Sequence, residues 1–304
     1  LNQGVDFVGG RTYTVRFDQA VNANELEGVL VEALGSADIK TFGSDNQVKV
    51  TTNYKVNEEG IEIDEEIVSK MYNAFQSYLP DGLSLDAFSL AEGSDSEYGI
   101  MSSMKVGPTI ADDIKEASFY AIIGSLIVVF LYILIRFRRW QFSVGAVVAV
   151  IHDTLIVLGI FSALYGLMPF SLEIDQAFIA AILTVIGYSL NDTVVVFDRI
   201  REYYNIHPKW NLFKIINVGA SSTLSRTLNT SFTTLVVLLA IFIFGGDSIR
   251  GFMFALIIGV VVGTYSSVFI ATPIMFDTSR RTKIDLSDKN AKKEDEELEE
   301  NVKA

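Results

Sequence analysis

Thr184-Val185-Ile186-Gly187-Tyr188-Ser189-Leu190-Asn191-Asp192-Thr193-Val194-Val195-Val196-Phe197 reads as the second half of an apolar helix with one carboxylate, Asp192, inside it. It ends a run from Gln176 to Phe197, and crossing the hydrocarbon of a bilayer takes about 20 such residues. Four further runs qualify, at 117–135, 142–165, 219–244 and 251–276. A soluble protein would need a very large core to bury five successive segments of this kind, so the chain is expected to span a membrane. The 50% hydrophobic content agrees.

Composition narrows the function. The net charge of −13 lies wholly within residues 1–116, and later Lys and Arg balance Asp and Glu. An acidic surface of this kind opposes nucleic-acid binding, which needs clustered basic residues on the phosphates. With no cysteine, disulfides, thiolate metal sites and a Cys nucleophile are excluded. No metal or cofactor motif is present.

Lys and Arg in short connections mark the cytoplasmic side. Arg136, Arg138 and Arg139 follow the first run; Arg199, Arg201, Lys209 and Lys214 follow the third; Arg280, Arg281 and Lys283 follow the fifth. The alternate connections carry only Arg250. The expectation is an extracytoplasmic domain at 1–112, a transmembrane domain at 113–278 and a disordered cytoplasmic tail at 279–304, charged and free of aromatics. An acidic domain placed outside, without an export signal at its start, is expected to follow a further span upstream of Leu1.

Within 1–112, Arg11–Asp18 alternates apolar and polar residues as a half-buried strand. A helix follows from Asn22 to Leu34, capped by Asn22 or Asn24. Strands near 39–42 and 47–54 flank a turn at 43–46, a second helix runs from Ile63 to Leu79, and a last strand lies near 98–106. The order β-α-β-β-α-β is that of a ferredoxin-like domain, so the fold class is an α+β membrane protein. Between 198 and 219, a short helix after Pro208 is expected to lie on the membrane surface.

Asp153, Asp192 and Arg226 are the charged side chains deep within the runs, and an ionisable group there is a functional candidate by default. At about 1.5 Å per residue, Asp192 lies roughly 8 Å inside Phe197 and Arg226 roughly 10 Å inside Gly219, so the two share a depth. Thr184, Gly187, Tyr188, Asn191, Asp192 and Val195 share one helical stripe, and Ser222, Ser225, Arg226, Asn229, Thr230 and Thr233 another. Such polar stripes suit a proton or ion relay; the bland alternative is a structural ion pair with ordinary small-residue packing. His152 and Asp153 form a second candidate pair, either a relay or a histidine hydrogen-bonded inside the bundle. Gly259 and Gly263, spaced as G-x-x-x-G, and Gly187 read as helix-packing positions. An aspartyl-protease dyad of Asp153 and Asp192 is disfavoured, because their depths differ by a factor of about two.

The segments Gly4-Val5-Asp6-Phe7-Val8-Gly9-Gly10, Thr184 to Arg199, Leu224-Ser225-Arg226-Thr227 and Gly259 to Ser267 together resemble the SecF family of the SecDF protein-export accessory, within the resistance-nodulation-division superfamily. That resemblance implies six spans, one of them upstream of Leu1, and a SecD half, separate or fused, carrying another intramembrane carboxylate. It implies work beside the SecYEG channel and SecA on an unfolded polypeptide, in the inner membrane, with protons as the coupling ion. It makes Asp192 and Arg226 proton-pathway residues, joined by Asn191, Tyr188, Asp153 and His152. Half of a small-molecule efflux pump of the same superfamily is the alternative, as is a chaperone surface that uses no gradient.

Overall fold

The computed structural model describes residues 2–58, 60–89, 97–168 and 170–282, so the expected disordered tail falls almost wholly outside the described residues. Four strands, β1 (Gly10–Arg16), β2 (Asp38–Phe42), β3 (Ser44–Thr52) and β4 (Gly99–Val106), form one antiparallel sheet in the order β2-β3-β1-β4. This is the ferredoxin-like order. Two helices cover one face: α2 (Ala23–Leu34) and α3 (Ile61–Phe75). The short helices α1 (Val5–Val8) and α4 (Leu85–Ser89), outside the β-α-β-β-α-β plan, complete this part.

The core follows from spacing. Tyr13 and Val15 alternate on β1 opposite Val50 and Val48 on β3, all buried. Leu26, Leu30 and Leu34 repeat every fourth residue on α2, as Ile67, Met71 and Phe75 do on α3, so each helix lays one apolar stripe on the sheet. Each such buried side chain stabilises the fold by about 1.5–3 kcal/mol. Asn22 caps α2, its side chain accepting from Asn24 N at 3.0 Å, and Gly35 ends that helix in the left-handed region at φ 76°. At the entry to β1, Gly9 (φ 73°) and the strand's first residue, Gly10 (φ 139°), turn the chain. A Cβ on Gly10 would stand 2.7 Å from the Thr52 carbonyl oxygen, so only glycine fits beside β3.

Five helices long and apolar enough to cross a membrane follow: α5 (Pro108–Phe137), α6 (Trp140–Leu164), α7 (Gln176–Ile206), α8 (Leu212–Phe244) and α9 (Asp247–Ser266), the last continued by a π-helical turn (Ser267–Ala271) and α10 (Thr272–Thr282). Several are longer than their apolar runs. Helix α5 starts at Pro108, where the missing N–H costs no helical hydrogen bond. Helix α7, 31 residues and about 46 Å long, outruns the roughly 30 Å hydrocarbon thickness. The separate surface helix after Pro208 does not form. Asn211 accepts from Lys214 N at 2.8 Å and starts α8 at Leu212, and the helix continues through Gly219, where an added Cβ would stand 3.0 Å from Ile200.

The chain divides into two compact units. The first joins Leu1–Ala121 with Leu158–Ala181 and Ala240–Ala255, and within it Phe161 and Phe178 approach to 4.6 Å between ring centres and Phe170 and Phe254 to 5.5 Å. The second joins Ile122–Val157, Ile182–Leu239 and residues from Leu256 onward, where Phe137 stacks on Phe142 at 4.8 Å and Phe197 meets both edge-on at 5.0–5.9 Å.

Replacing Gly10 with alanine forces a Cβ onto Thr52 O from a strained backbone, at about 2 kcal/mol or more. Amide hydrogen exchange of β1 and β3 in the intact protein is expected to accelerate well beyond that of α6.

Candidate functional site

Asp153 is the most completely bonded carboxylate of the helical bundle. It is 1% exposed, and its Oδ2 accepts from Ser189 Oγ on α7 and Ser266 Oγ on α9, both at 2.7 Å. Its Oδ1 lies 3.1 Å from Nδ1 of His152, which is partly exposed. One side chain of α6 therefore ties three spans. The π-helical turn begins one residue after Ser266, with Thr272 Oγ1 donating to Ser267 O at 2.9 Å. Its Ala271 carbonyl oxygen rests against α6, 2.6 Å from where a Cβ on Gly145 would stand.

Asp192, three residues beyond Ser189 on α7, is 3% exposed and held differently. Its Oδ2 accepts one long hydrogen bond, 3.5 Å, from Ser231 Oγ of α8, and Ser231 Oγ lies 2.6 Å from Thr264 Oγ1 of α9. No ion pair joins Asp192 to Arg226 among the described residues, although Arg226 is near enough to act on the carboxylate electrostatically. The Arg226 side chain is exposed, as are Asn191 on α7 and Asn229 and Thr233 on α8. A tight structural ion pair is thus not what these two charges make. Tyr188 reaches α8 through its hydroxyl, 3.2 Å from Thr234 Oγ1. The carboxylates of Asp153 and Asp192 hydrogen-bond to different hydroxyls and not to one another.

The glycines separate. A Cβ on Gly259 would run into the Val185 side chain, and one on Gly263 would lie 3.0 Å from Ser189 Cβ, so α9 approaches α7 at both. Gly187 is exposed, with nothing within 4 Å of its would-be Cβ, so it packs against no helix among the described residues; Val185 and Ser189 on either side carry the contact with α9.

A second polar cluster lies within the first unit. Lys40 Nζ on β2 meets Asp38 Oδ2 at 2.8 Å, Tyr165 Oη at 2.7 Å and Glu173 Oε1 at 3.0 Å, and Lys49 stands 3.7 Å from the buried Glu173. Burial opposes the charged ammonium of Lys40, but Glu173, Asp38 and Tyr165 outweigh it and raise its pKa above the ordinary value. The first turn of α7 is capped by two carboxylates: Asp6 Oδ2 accepts from Gln176 N at 3.0 Å and Asp175 Oδ1 from Phe178 N at 2.7 Å. Burial raises the Asp175 pKa. Sequence reasoning missed Glu173, Asp175 and Lys40. The available signal was a pair of acidic residues at the foot of an apolar run. Among the described residues no group of three or more His, Asp and Glu is placed to hold a metal ion.

A ferredoxin-like domain attached to spans that carry buried, hydroxyl-bonded carboxylates defines a multi-pass membrane protein with ionisable chemistry inside its bundle. Residues 88–281 match the family described as protein export membrane protein SecD/SecF, C-terminal, and residues 1–21 match the SecD/SecF GG motif. The protein translocase subunit SecF of Rhodothermus marinus is 44% identical over 283 residues, covering 92% of this chain and 84% of that protein. That of Haemophilus influenzae is 36% identical over 282 residues, 92% and 78% respectively. The crystal structure of SecDF, a translocon-associated membrane protein from Thermus thermophilus, aligns with TM-score 0.73 at 30% identity over 92% of this chain and 34% of that one. SecDF in a super-membrane-facing form aligns with TM-score 0.59. The chain belongs to the SecF family and spans about a third of the solved SecDF chain.

Removing the Asp153 carboxyl leaves the buried Ser189 hydroxyl without its acceptor, at a cost of about 1–3 kcal/mol, and leaves Ser266 Oγ with only its 3.2 Å contact to the Gly263 carbonyl. Asp153→Ala is therefore expected to lower the unfolding temperature of the detergent-solubilised protein by several degrees. Asp153→Asn, whose amide oxygen still accepts both hydroxyls, is expected to stay close to wild type.

Proposed function

We propose that the chain is the SecF half of a proton-driven accessory to protein export. In this reading it works in the inner membrane with SecD, beside the SecYEG channel and SecA, on unfolded polypeptide, and is not itself an enzyme. The observation that carries the proposal is the setting of Asp192: a carboxylate inside the bundle, bonded by a single long hydroxyl contact, with Arg226 close by and free of any ion pair to it. Such a group takes up or releases a proton without breaking a salt bridge. The charge of Arg226 favours the ionised form, while withdrawal from water favours the neutral one. One proton crossing 100 mV makes about 2.3 kcal/mol available, enough to bias a two-state rearrangement more than tenfold. His152 and Asp153 supply a second exchangeable pair. The distribution of Lys and Arg supports an extracytoplasmic sheet domain, which places the folded end where the polypeptide emerges.

The exposed polar side chains support partnership with SecD. Arg226, Asn229 and Thr233 on α8 and Asn191 on α7 face out of the chain within spans. Hydrocarbon is costly for Arg226, so this face suits a partner helix with polar or acidic groups. Gly187, bare toward its own chain, leaves room for that helix to come close.

Asp192→Asn and Arg226→Ala are each expected to abolish the gradient-dependent part of protein export in membrane vesicles, while Glu202→Gln, near the end of α7 beyond its apolar run, keeps it. Wild-type export in either of the first two overturns the reading. Because the chain has no cysteine, Asn229→Cys offers a unique thiol. It is expected to cross-link to a single-cysteine span of SecD, whereas Leu131→Cys on the apolar face of α5 does not.

A further inference from the structure

Two hydroxyls lead from Asp192 to the backbone of α9. Ser231 Oγ stands 3.5 Å from Asp192 Oδ2 and 2.6 Å from Thr264 Oγ1, and Thr264 Oγ1 donates to Val260 O at 2.7 Å, one turn back along α9. Four oxygens in a row make three links. Each hydroxyl has one hydrogen to give. While Asp192 is ionised, two hydrogens must serve three links and one link stays empty; a proton on Asp192 Oδ2 fills all three.

Charge decides which link is empty. An ionised acceptor draws hydrogen bonds about twice as strong as a neutral one, at about 2.5–2.7 Å from a hydroxyl. The carboxylate therefore holds the Ser231 hydrogen, Ser231 takes that of Thr264, and Val260 O goes without. In the neutral acid the order reverses: Asp192 donates to Ser231, Ser231 to Thr264 and Thr264 to Val260 O. The short contacts on Thr264 and the long one on Asp192 fit this second order. The other charged groups near Asp192 are Arg226 on α8 and, beyond Ser189, Asp153 with His152 on α6. Helix α9 brings no Asp, Glu, His, Lys or Arg from Gly251 to Ser266, so it meets Asp192 through a hydroxyl.

We propose that Ser231 and Thr264 are positioning residues for proton exchange at Asp192, their hydrogens turned toward the carboxylate while it is ionised and away from it, toward Val260 O, once it carries the proton. This rests on the role proposed for Asp192. Each hydroxyl turns about its own C–O bond, so no proton leaves Ser231 or Thr264 and no further reactant is needed. A threonine bonded to the carbonyl four residues back tends to bend its helix. Gain and loss of the Thr264 to Val260 link therefore acts on α9 just ahead of the π-helical turn at Ser267.

The test is an infrared pH titration of the full complex in lipid nanodiscs, following the carboxyl band that Asp192→Asn removes. Without Thr264 the protonated chain loses two links and the ionised chain one. Thr264→Val is therefore expected to move the half-point of the band to lower pH by about 0.7 unit, a fivefold change and the worth of one net hydrogen bond. Thr264→Ser is expected to restore it. In a Ser231→Ala background, Thr264→Val should move the half-point no further, since it acts through Ser231. Where Thr264→Val fails to assemble, Thr264→Ala reads the same shift. A threonine that merely braced Ser231 against the carboxylate would move the half-point the other way. That result, a wild-type half-point, or an equal shift in the Ser231→Ala background overturns this proposal alone; a titrating band that Asp192→Asn leaves intact overturns the role of Asp192 itself.

Discussion

A carboxylate inside hydrocarbon must find donors among the neighbouring helices, and in this chain hydroxyls supply them. Ser189 and Ser266 close on Asp153, and Ser231, itself bonded to Thr264, reaches Asp192. Both networks end on one short stretch of α9, Thr264 to Ser266, just before the helix widens into a π-helical turn. Such turns often sit at functional sites. The close approaches at Gly259 and Gly263 fix α9 against α7, so that a change at either carboxylate is felt on α9 at short range. The difference between the two sites is one of grip: Asp153 has three partners at 3.1 Å or less, Asp192 one at 3.5 Å.

The first unit applies the same economy with ions. Glu173, buried in the connection between α6 and α7, joins Lys40 and Lys49 of the sheet, and Asp6 of the glycine-rich opening segment caps α7 directly. The sheet is thereby attached to two membrane helices through their connection and the first turn of α7, which is where a domain must be held if force or displacement is to pass between it and the spans.

Much of this was legible in the sequence. Five apolar runs fixed the spans, because length against bilayer thickness is a strong constraint, and period-two and period-four spacing placed the sheet and its two helices. Asp192 and Arg226 stood out because charge in an apolar run is rare. Other features depend on where side chains point and what lies across the bundle, which no single run encodes. Ser189, Ser231, Thr264 and Ser266 look like ordinary small residues until α7, α8 and α9 are assembled. Arg226 acts on Asp192 electrostatically, but its side chain is exposed and among the described residues makes no ion pair with that carboxylate. Gly187 shares its stripe with Asn191 and faces out with it, so its smallness serves no contact among the described residues. Pro208 read as a break before a surface helix, yet Asn211 restarts one helix that runs unbroken to Phe244.

The central claim is that Asp192, rather than the more tightly held Asp153, changes protonation as a proton passes. Difference infrared spectroscopy of the reconstituted complex under an imposed pH gradient reads this directly through the carbonyl stretch of a protonated carboxyl group. The account expects a gradient-dependent band that is lost in Asp192→Asn and kept in Asp153→Asn; a band that survives Asp192→Asn and disappears in Asp153→Asn would contradict it.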